Sequence, residues 1–430
     1  MKSWNFNPQV QHRGTMSLEP SSKYLAEKDG SLLVFGNGRS YGDVCLNADG
    51  HLLLSKSLNR FISFDKVTGR LVCESGVLLK DILEVCVPKG WFLPVVPGTQ
   101  FVTVGGAIAN DVHGKNHHTQ GSFGDHVVQF ELLRSDGERK QCSLVQEPDW
   151  FRATIGGLGL TGALIWAELQ LMPVTSPFVS TQSIRFANLD EYWQLNAKLQ
   201  QRWHYNVAWI DCLATGSALG RGILSSASHG HRADRCLPKW QEKAYQFPLT
   251  PPISLVNQPS LKAFNSLYYH RPISEAIVNQ HYIPYFFPLD SIQNWNRMYG
   301  KRGFYQYQCV IPRDQEQSAV KALLEVISQR KQGSFLAVLK SFGDRPASGM
   351  LSFPREGATL ALDFPNLGRQ THQLFAVLDG IVSQAGGALY PAKDARMSAS
   401  MFQQAFPSFE TFQSYIDPKF SSSFWRRVVE

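Results

Sequence analysis

The chain has 430 residues, enough for two or three domains, and its 43% apolar content supplies an ordinary globular core. The net charge of +7 suits phosphate-bearing ligands or an anionic membrane surface, and is also common in proteins with no such partner. Seven widely spaced cysteines (Cys45, Cys73, Cys86, Cys142, Cys212, Cys236 and Cys309) include no CxxC pair, which argues against a disulfide framework or a zinc site and for a reducing compartment. The opening MKSWNFNPQVQHRG lacks the apolar stretch of a signal peptide, and no run of about 18 apolar residues reads as a membrane span. The expected location is cytoplasmic, with peripheral contact at the inner membrane left open.

From Ser31 to about Pro173, short β-rich runs alternate with glycine turns, as in SLLVFGNG, HLLLSKSL and GRLVCESG. VVQFELLRSDGE reads as a hairpin with its turn at Asp136-Gly137. VLLKDILEVCVPKG has apolar positions at helical spacing, with Gly90 as its C-cap. WFRATIGGLGLTGALIWAELQLMP reads as a helix start, a glycine loop and a strand that Pro173 ends. Beyond Val174, VSTQSIRFANLDEYWQLNAKLQQRW reads as a strand and a helix, with Asn188 or Asp190 near the helix N-terminus. The stretch 229–269, rich in proline, aromatic and basic residues, is expected to be a long mobile loop or lid with limited regular structure. FYQYQCVIP, FLAVLKSFG and ATLALDFP then read as strands; QSAVKALLEVISQRKQG, ending at Gly333, and HQLFAVLDGIVSQAGG read as helices. The pattern is α+β and not a regular βαβ repeat.

Two segments carry chemistry. Gly36-Asn37-Gly38-Arg39-Ser40-Tyr41-Gly42-Asp43 follows an apolar run, and three glycines in seven residues let backbone N–H groups converge on an anion. By itself it reads either as a phosphate cradle or as a plain strand-to-turn junction, and its spacing is not that of a nicotinamide-binding GxGxxG. The second runs from Pro97-Gly98-Thr99 through VTVGGAIANDVHGKNHH to Gly121-Ser122-Phe123-Gly124, with six glycines between Gly98 and Gly124. Such a backbone can press closely against a large flat ligand. A metal reading of HGKNHH lacks acidic ligands and assured helical spacing; His117 and His118 read as loop packing.

In this order, with ATIGGLGLTGAL following, the motifs resemble the vanillyl-alcohol-oxidase type of FAD-dependent oxidoreductases. Within it they are most similar to the decaprenylphosphoryl-β-D-ribose 2′-oxidase family. The likeness continues through PLDSIQNWNRMYG, YQYQCVIP, FLAVLKSFG, LSFP, LALDFP and LYPAKDAR, and is weakest over 229–269. It implies a two-subdomain PCMH-type FAD-binding domain, split as 1–175 plus 387–430, and an antiparallel-sheet-plus-helices substrate cap over 176–386. It implies that Gly36, Asn37, Gly38, Arg39, Ser40, Tyr41, Gly42 and Asp43 wrap the FAD pyrophosphate. Gly98, Thr103, Val104, Gly105, Gly106, Asn110, Asp111, Val112 and His113 would line the cofactor, Leu164 its adenine end, and Tyr390 and Lys393 its isoalloxazine. Several relatives bond the flavin to a histidine of the first loop; Arg39 stands at that position, so the FAD is expected to be non-covalent.

The implied chemistry is alcohol to ketone, with hydride passing to the flavin. Lys393 would stabilise the reduced anion or act as base, with Tyr41 hydrogen-bonded to it. His113 and Lys115 would hold substrate phosphate or hydroxyls. Gln306, Gln308, Lys340 and Asp363 would face the substrate from the cap; Gln306 and Gln308, two apart on a strand, share one face, which is either the site or a polar sheet surface. Ala361 stands where some family members carry a cysteine, so a cysteine-directed inhibitor has no target there, and Thr359 stands where an asparagine is expected. The leading expectation is oxidation of a polyprenyl-phosphate-linked ribose at its 2′-hydroxyl, a short-chain reductase partner completing epimerisation to arabinose. The alternatives are an oxidase of a soluble alditol, sugar or aldonolactone, and a non-catalytic FAD-binding partner subunit. No stacking platform with interleaved basic residues supports nucleic acid as a partner.

Overall fold

The computed structural model describes residues 1–22, 25, 29–230 and 245–429. A small parallel sheet comes first, with His51–Leu54 central between Gly14–Ser17 and Leu32–Phe35. A five-stranded antiparallel sheet follows, in the order Phe61–Asp65, Arg70–Glu74, Ala163–Gln170, Val127–Leu133, Arg139–Ser143. The helix Leu79–Cys86 buries Leu79, Ile82, Leu83 and Cys86, the i, i+3, i+4, i+7 stripe its sequence shows. After a short 3-10 turn, Gly90 closes it in the left-handed region at φ +84°, the C-cap expected there. The hairpin turn at Asp136-Gly137 and the helix, glycine loop and strand of 148–170 also form where expected.

The largest sheet has eight antiparallel strands, in the order Val278–His281, Phe178–Phe186, Gly222–His229, Tyr205–Ile210, Ala337–Phe342, Gly357–Pro365, Phe304–Pro312, Ala388–Leu389. Side chains alternate across it. Ala208, Leu224, Leu339, Leu360, Leu362 and Cys309 point into a core shared with the helices Glu316–Arg330 and Arg369–Gln384. The residues between them face a cavity. The helix Leu189–Gln200 is capped by Asn188, whose side chain accepts the Glu191 N–H. Helix Glu316–Arg330 stops earlier than expected, because Lys331 and not Gly333 takes the left-handed conformation, at φ +55°.

The strand Ala388–Leu389 pairs with the large sheet, yet the turn after it serves the glycine loop of the N-terminal part. Residues 419–421 then return to the small sheet, where Lys419 and Ser421 hydrogen-bond the Leu32 backbone.

The expectation of a long loop over 229–269 is corrected in part. Residues 231–244 lie outside the described residues, but Gln258–His270 is a helix. Asn257 caps it through the Ser260 N–H, and Pro259 sits in its first turn, where a missing N–H costs nothing. The surrounding prolines hid the spacing of Leu261, Phe264 and Tyr268. Among the described residues, no helix is long and apolar enough to cross a membrane.

Candidate active site

The cavity, of about 1040 Å³, runs between the glycine-rich segments and the open face of the large sheet. Leu32–Phe35 delivers the first loop to it. Gly38 and Gly42 take φ of +59° and +64°, a region that strains any side chain. The amides of Asn37, Gly38, Arg39 and Ser40 donate to no acceptor among the described residues and are free for a ligand. The loop itself is tied down. The Trp4 N–H donates to Ser40 O (3.0 Å), the Tyr41 N–H to Ala392 O (2.9 Å), and the Asn37 side chain to Phe101 O (2.8 Å). Arg39 lies with its guanidinium 4.2 Å from the Trp4 ring centre and 5.3 Å from that of Phe101; its Nε is buried without a partner. Burial lowers its pKa, while the charge of Asp290 works the other way.

Gly42 and Asp43 do not reach the cavity wall, contrary to expectation. Asp43 turns away and receives two hydrogen bonds from Arg427, of 2.7 and 3.0 Å. Gly42 packs on the Asp394 carbonyl and donates its N–H to Asn5 Oδ1.

In the second segment, Thr103 caps the short helix Val104–Ala109 through the Gly106 N–H. Gly98 faces open space: no atom lies within 4 Å of a Cβ built there. Asn110 Oδ1 and Ser75 Oγ line the cavity and are buried without protein partners. Gly105, Gly106, Val112 and Leu164 also line it, as does the third glycine loop at Leu158, Gly159 and Gly162. Val104 and Asp111 do not, a second correction. Val104 is wholly buried in the core with Ala107 and Ile108. Asp111 binds Ser122 Oγ, the Gly124 N–H and Ser352 Oγ at 2.6–2.9 Å, tying three segments together behind the wall. Burial raises its pKa to about 6 against those hydrogen bonds.

At one end the wall turns polar, and Lys393, Tyr41, His113, Lys115, Gln306, Gln308, Lys340, Asp363 and Tyr390 all meet there. His113 is buried, with the Gln308 amide 2.9 Å from Nε2 and Lys340 Nζ 3.2 Å from Nδ1. Burial, then the charges of Lys340 and His117, hold its pKa well below the usual imidazole range, so it stays neutral. A neutral imidazole carries one N–H. When Lys340 is charged it donates to Nδ1, the His113 proton sits on Nε2, and Gln308 must present its oxygen. Burial, reinforced by Lys393, brings Lys340 down to about 7. Lys115 also falls to about 7, through burial and then Lys340. Its ammonium lies 4.4 Å from the Tyr285 ring centre and donates to the Tyr285 carbonyl. Among the described residues, neither Lys115 nor Lys340 pairs with a carboxylate.

Lys393 does not hydrogen-bond the Tyr41 hydroxyl as expected. Its Nζ lies over the ring, 3.8 Å from the centroid, a cation–π contact. Burial lowers its pKa, and Asp363 opposes the shift. Burial raises Asp363, opposed by Gln306, which donates at 2.6 Å, and by Lys393. Tyr390 crosses the site, donating its hydroxyl to Asn110 O at 2.9 Å and stacking on Phe353. His117 and His118 serve packing: His117 Nδ1 accepts the Gly343 N–H, and His118 Nε2 meets the Trp203 carbonyl. Among the described residues, no cluster of three or more His, Cys, Asp or Glu is placed to hold a metal.

Trp4, Ser75, Trp209, Val338 and Ile223 were not singled out from the sequence. Trp4 and Ser75 carry no motif; the other three are visible only as strand alternation, which does not say what lies opposite.

The site fits FAD on its own observations: free loop amides for a pyrophosphate, unpartnered buried oxygens along the wall, and glycine-lined space at both. Residues 17–143 match the family described as FAD binding domain. The chain is 34% identical to decaprenylphosphoryl-β-D-ribose oxidase of Mycolicibacterium smegmatis, over 94% of this chain and 90% of that one. It is 31% identical to an uncharacterized protein of Streptomyces coelicolor, over 82% of this chain and all of that one. It is 28% identical to L-gulonolactone oxidase of Mus musculus, over 44% of each chain. The chain is an FAD-dependent oxidoreductase and belongs to the decaprenylphosphoryl-β-D-ribose oxidase family.

Proposed function

We propose that the protein oxidises a secondary alcohol of a lipid-linked sugar to a ketone, the 2′-hydroxyl of a polyprenyl-phosphate-linked ribose. This is the first half of an epimerisation to arabinose that a short-chain reductase completes. The carrying observation is a row of side chains across the large sheet. Register places Gln308, Ala361, Val338, Trp209 and Ile223 side by side on five neighbouring strands, all facing the cavity. At about 4.8 Å per strand the row spans about 19 Å. It begins at the polar end and becomes an apolar floor, which suits a sugar head followed by a prenyl chain. A soluble alditol or aldonolactone needs no such floor.

Bound FAD supplies the hydride acceptor. Gly36, Gly38, Ser40, Gly98, Thr103 and Asn110 would hold it, with no bond from Arg39. Lys393, kept charged by Asp363 and the Tyr41 ring, stabilises negative charge at the polar end. The His113–Lys340 pair takes up the hydroxyl proton, since Lys340 near 7 is partly neutral at neutral pH. Lys115, a half-buried amine with no carboxylate partner among the described residues, suits the substrate phosphate, whose charge would keep it protonated. Peripheral membrane contact goes with a lipid substrate, and the exposed Ile253, Leu255, Leu267 and Ile277 offer an apolar surface for it.

Anaerobic mixing with farnesylphosphoryl-ribose is expected to bleach the flavin, and mixing with xylitol or gulonolactone to leave it yellow; the reverse pattern refutes the reading. Acid precipitation is expected to release the flavin into the supernatant, and colour held in the pellet refutes non-covalent binding. Val338→Glu is expected to raise KM for a long-chain prenyl substrate by about tenfold or more, since one buried apolar contact is worth about 1.5–3 kcal/mol. The effect should shrink as the prenyl chain is shortened; a length-independent change counts against the apolar floor as the prenyl site.

A further inference from the structure

We propose that Arg427, three residues from the last residue of the chain, is a positioning residue that locks the turn carrying Lys393 onto the glycine loop carrying Tyr41. The inference rests on the reading of Lys393 as the charged group of the site. The loop and the turn touch in three ways. Tyr41 N–H donates to Ala392 O at 2.9 Å. Gly42 lies so close to Asp394 that a Cβ would fall 1.6 Å from its carbonyl oxygen. Arg427, on the helix Ser423–Val429, forks across both: Nη2 and Nε to Asp43 at 2.7 and 3.0 Å, and Nη2 to Asp394 Oδ2 at 2.9 Å. Its Nη1 reaches Met397 O at 2.5 Å.

Both carboxylates are nearly inaccessible, with side chains 6% exposed. Two like charges this deep need the cation between them, and only a planar guanidinium can serve both together. Asp43 lies two residues after Tyr41, and Asp394 directly follows Lys393, so the clamp acts within two residues of each working group. Asp394 is further fixed by the Arg396 and Met397 N–H groups. The charged and titratable groups facing Lys393 are Tyr41 from the loop, Asp363 from the strand Gly357–Pro365, and Lys340 and His113 across the cavity. None of these contacts Arg427, which therefore acts on Lys393 only through its turn.

The test uses holoenzyme. The visible absorption of the bound flavin is titrated against pH in wild type, Arg427→Gln, Arg427→Lys and Asp394→Asn. Wild type is expected to show an inflection near 8, where Lys393 loses its proton. Loosening the turn admits water to Lys393 and moves that inflection up, towards about 10.4 for a solvated lysine. In Arg427→Gln, kcat should fall about tenfold with KM within about twofold, because transition-state positioning and not binding is lost. Arg427→Lys, with charge but no fork, should recover part of both effects. A folded, flavin-loaded Arg427→Gln with an unmoved inflection and wild-type kcat overturns the proposal. Should that variant not fold, Asp394→Asn decides in the same way, since the Asp43 clamp survives in it. If Lys393→Ala turns over normally, the reading of Lys393 has failed; if Lys393→Ala is dead and the clamp variants are unaltered, only this inference has.

Discussion

Lys393→Ala is expected to keep its FAD and lose turnover by about a hundredfold or more, the usual cost of removing a preorganised charge from a reacting centre. On the proposed reading the loop amides and the glycine wall would hold the cofactor elsewhere, so flavin content should be unchanged. Stopped-flow bleaching of the yellow enzyme separates the two effects; undiminished bleaching refutes the role of Lys393. The pH dependence follows from its surroundings. Burial lowers Lys393 to about 8, so wild-type turnover should fall as pH rises through that value and the cation disappears. A second rise there, beyond the one that Lys340 gives near 7, instead makes Lys393 the base. Stability should move the opposite way. The folded state binds this proton more weakly than the unfolded chain does, so folding carries a penalty below about pH 8 that is relieved towards the unfolded value of about 10.4. Lys393→Ala should therefore melt above wild type at pH 7 although it is inactive. Asp363, left without its cation, takes up a proton and does not remain as an unpaired buried charge. Removing a strained functional group often has this result.

Gly42→Ala is expected to cost about 3 kcal/mol or more and to release the flavin, by the sum of left-handed strain and backbone overpacking. The added Cβ would lie 1.6 Å from Asp394 O and 2.5 Å from Asp394 C, and φ is +64°. The obstacle is backbone and not the tip of a side chain, so no rotamer change relieves it. Gly98→Ala is the control. Nothing lies within 4 Å of its Cβ, and its φ is unexceptional. Freed of flavin, that variant should melt as flavin-free wild type does, while it holds FAD less tightly, because its methyl group intrudes on the ligand side alone. Equal melting temperatures and equal flavin retention for both variants would falsify the assignment of Gly42 to the contact between loop and turn.

Much of the site was legible because its signals are local. A strand ending in three glycines, a histidine two residues before a lysine, and two glutamines two apart on a strand are short-range facts, and the cavity takes in Gly36, His113, Lys115, Gln306 and Gln308. Helix Leu79–Cys86 and its Gly90 cap were legible for the same reason, since spacing and a left-handed cap are properties of a dozen residues. Helix Gln258–His270 was not, because proline at a helix start and proline in a loop look alike until the Asn257 cap is seen.

The sequence by itself determined the order and spacing of two glycine-rich segments, and the resemblance they carry implied a cofactor wall and a site lysine, Lys393, from the far C-terminal part. Which members of those motifs face the ligand was decided only by tertiary structure. Asp43, Val104 and Asp111 sit inside the motifs and point away from the cavity, because a turn of the backbone sends neighbouring side chains in opposite directions and their partners Arg427 and Ser352 are hundreds of residues distant. The apolar floor from Ala361 to Ile223 exists only once four strands are in register. The Arg427 clamp is likewise invisible in SSFWRRVV, where a basic pair reads as a solvated helix face. Its role arises from two buried carboxylates that meet only when the last helix closes over the loop and the turn.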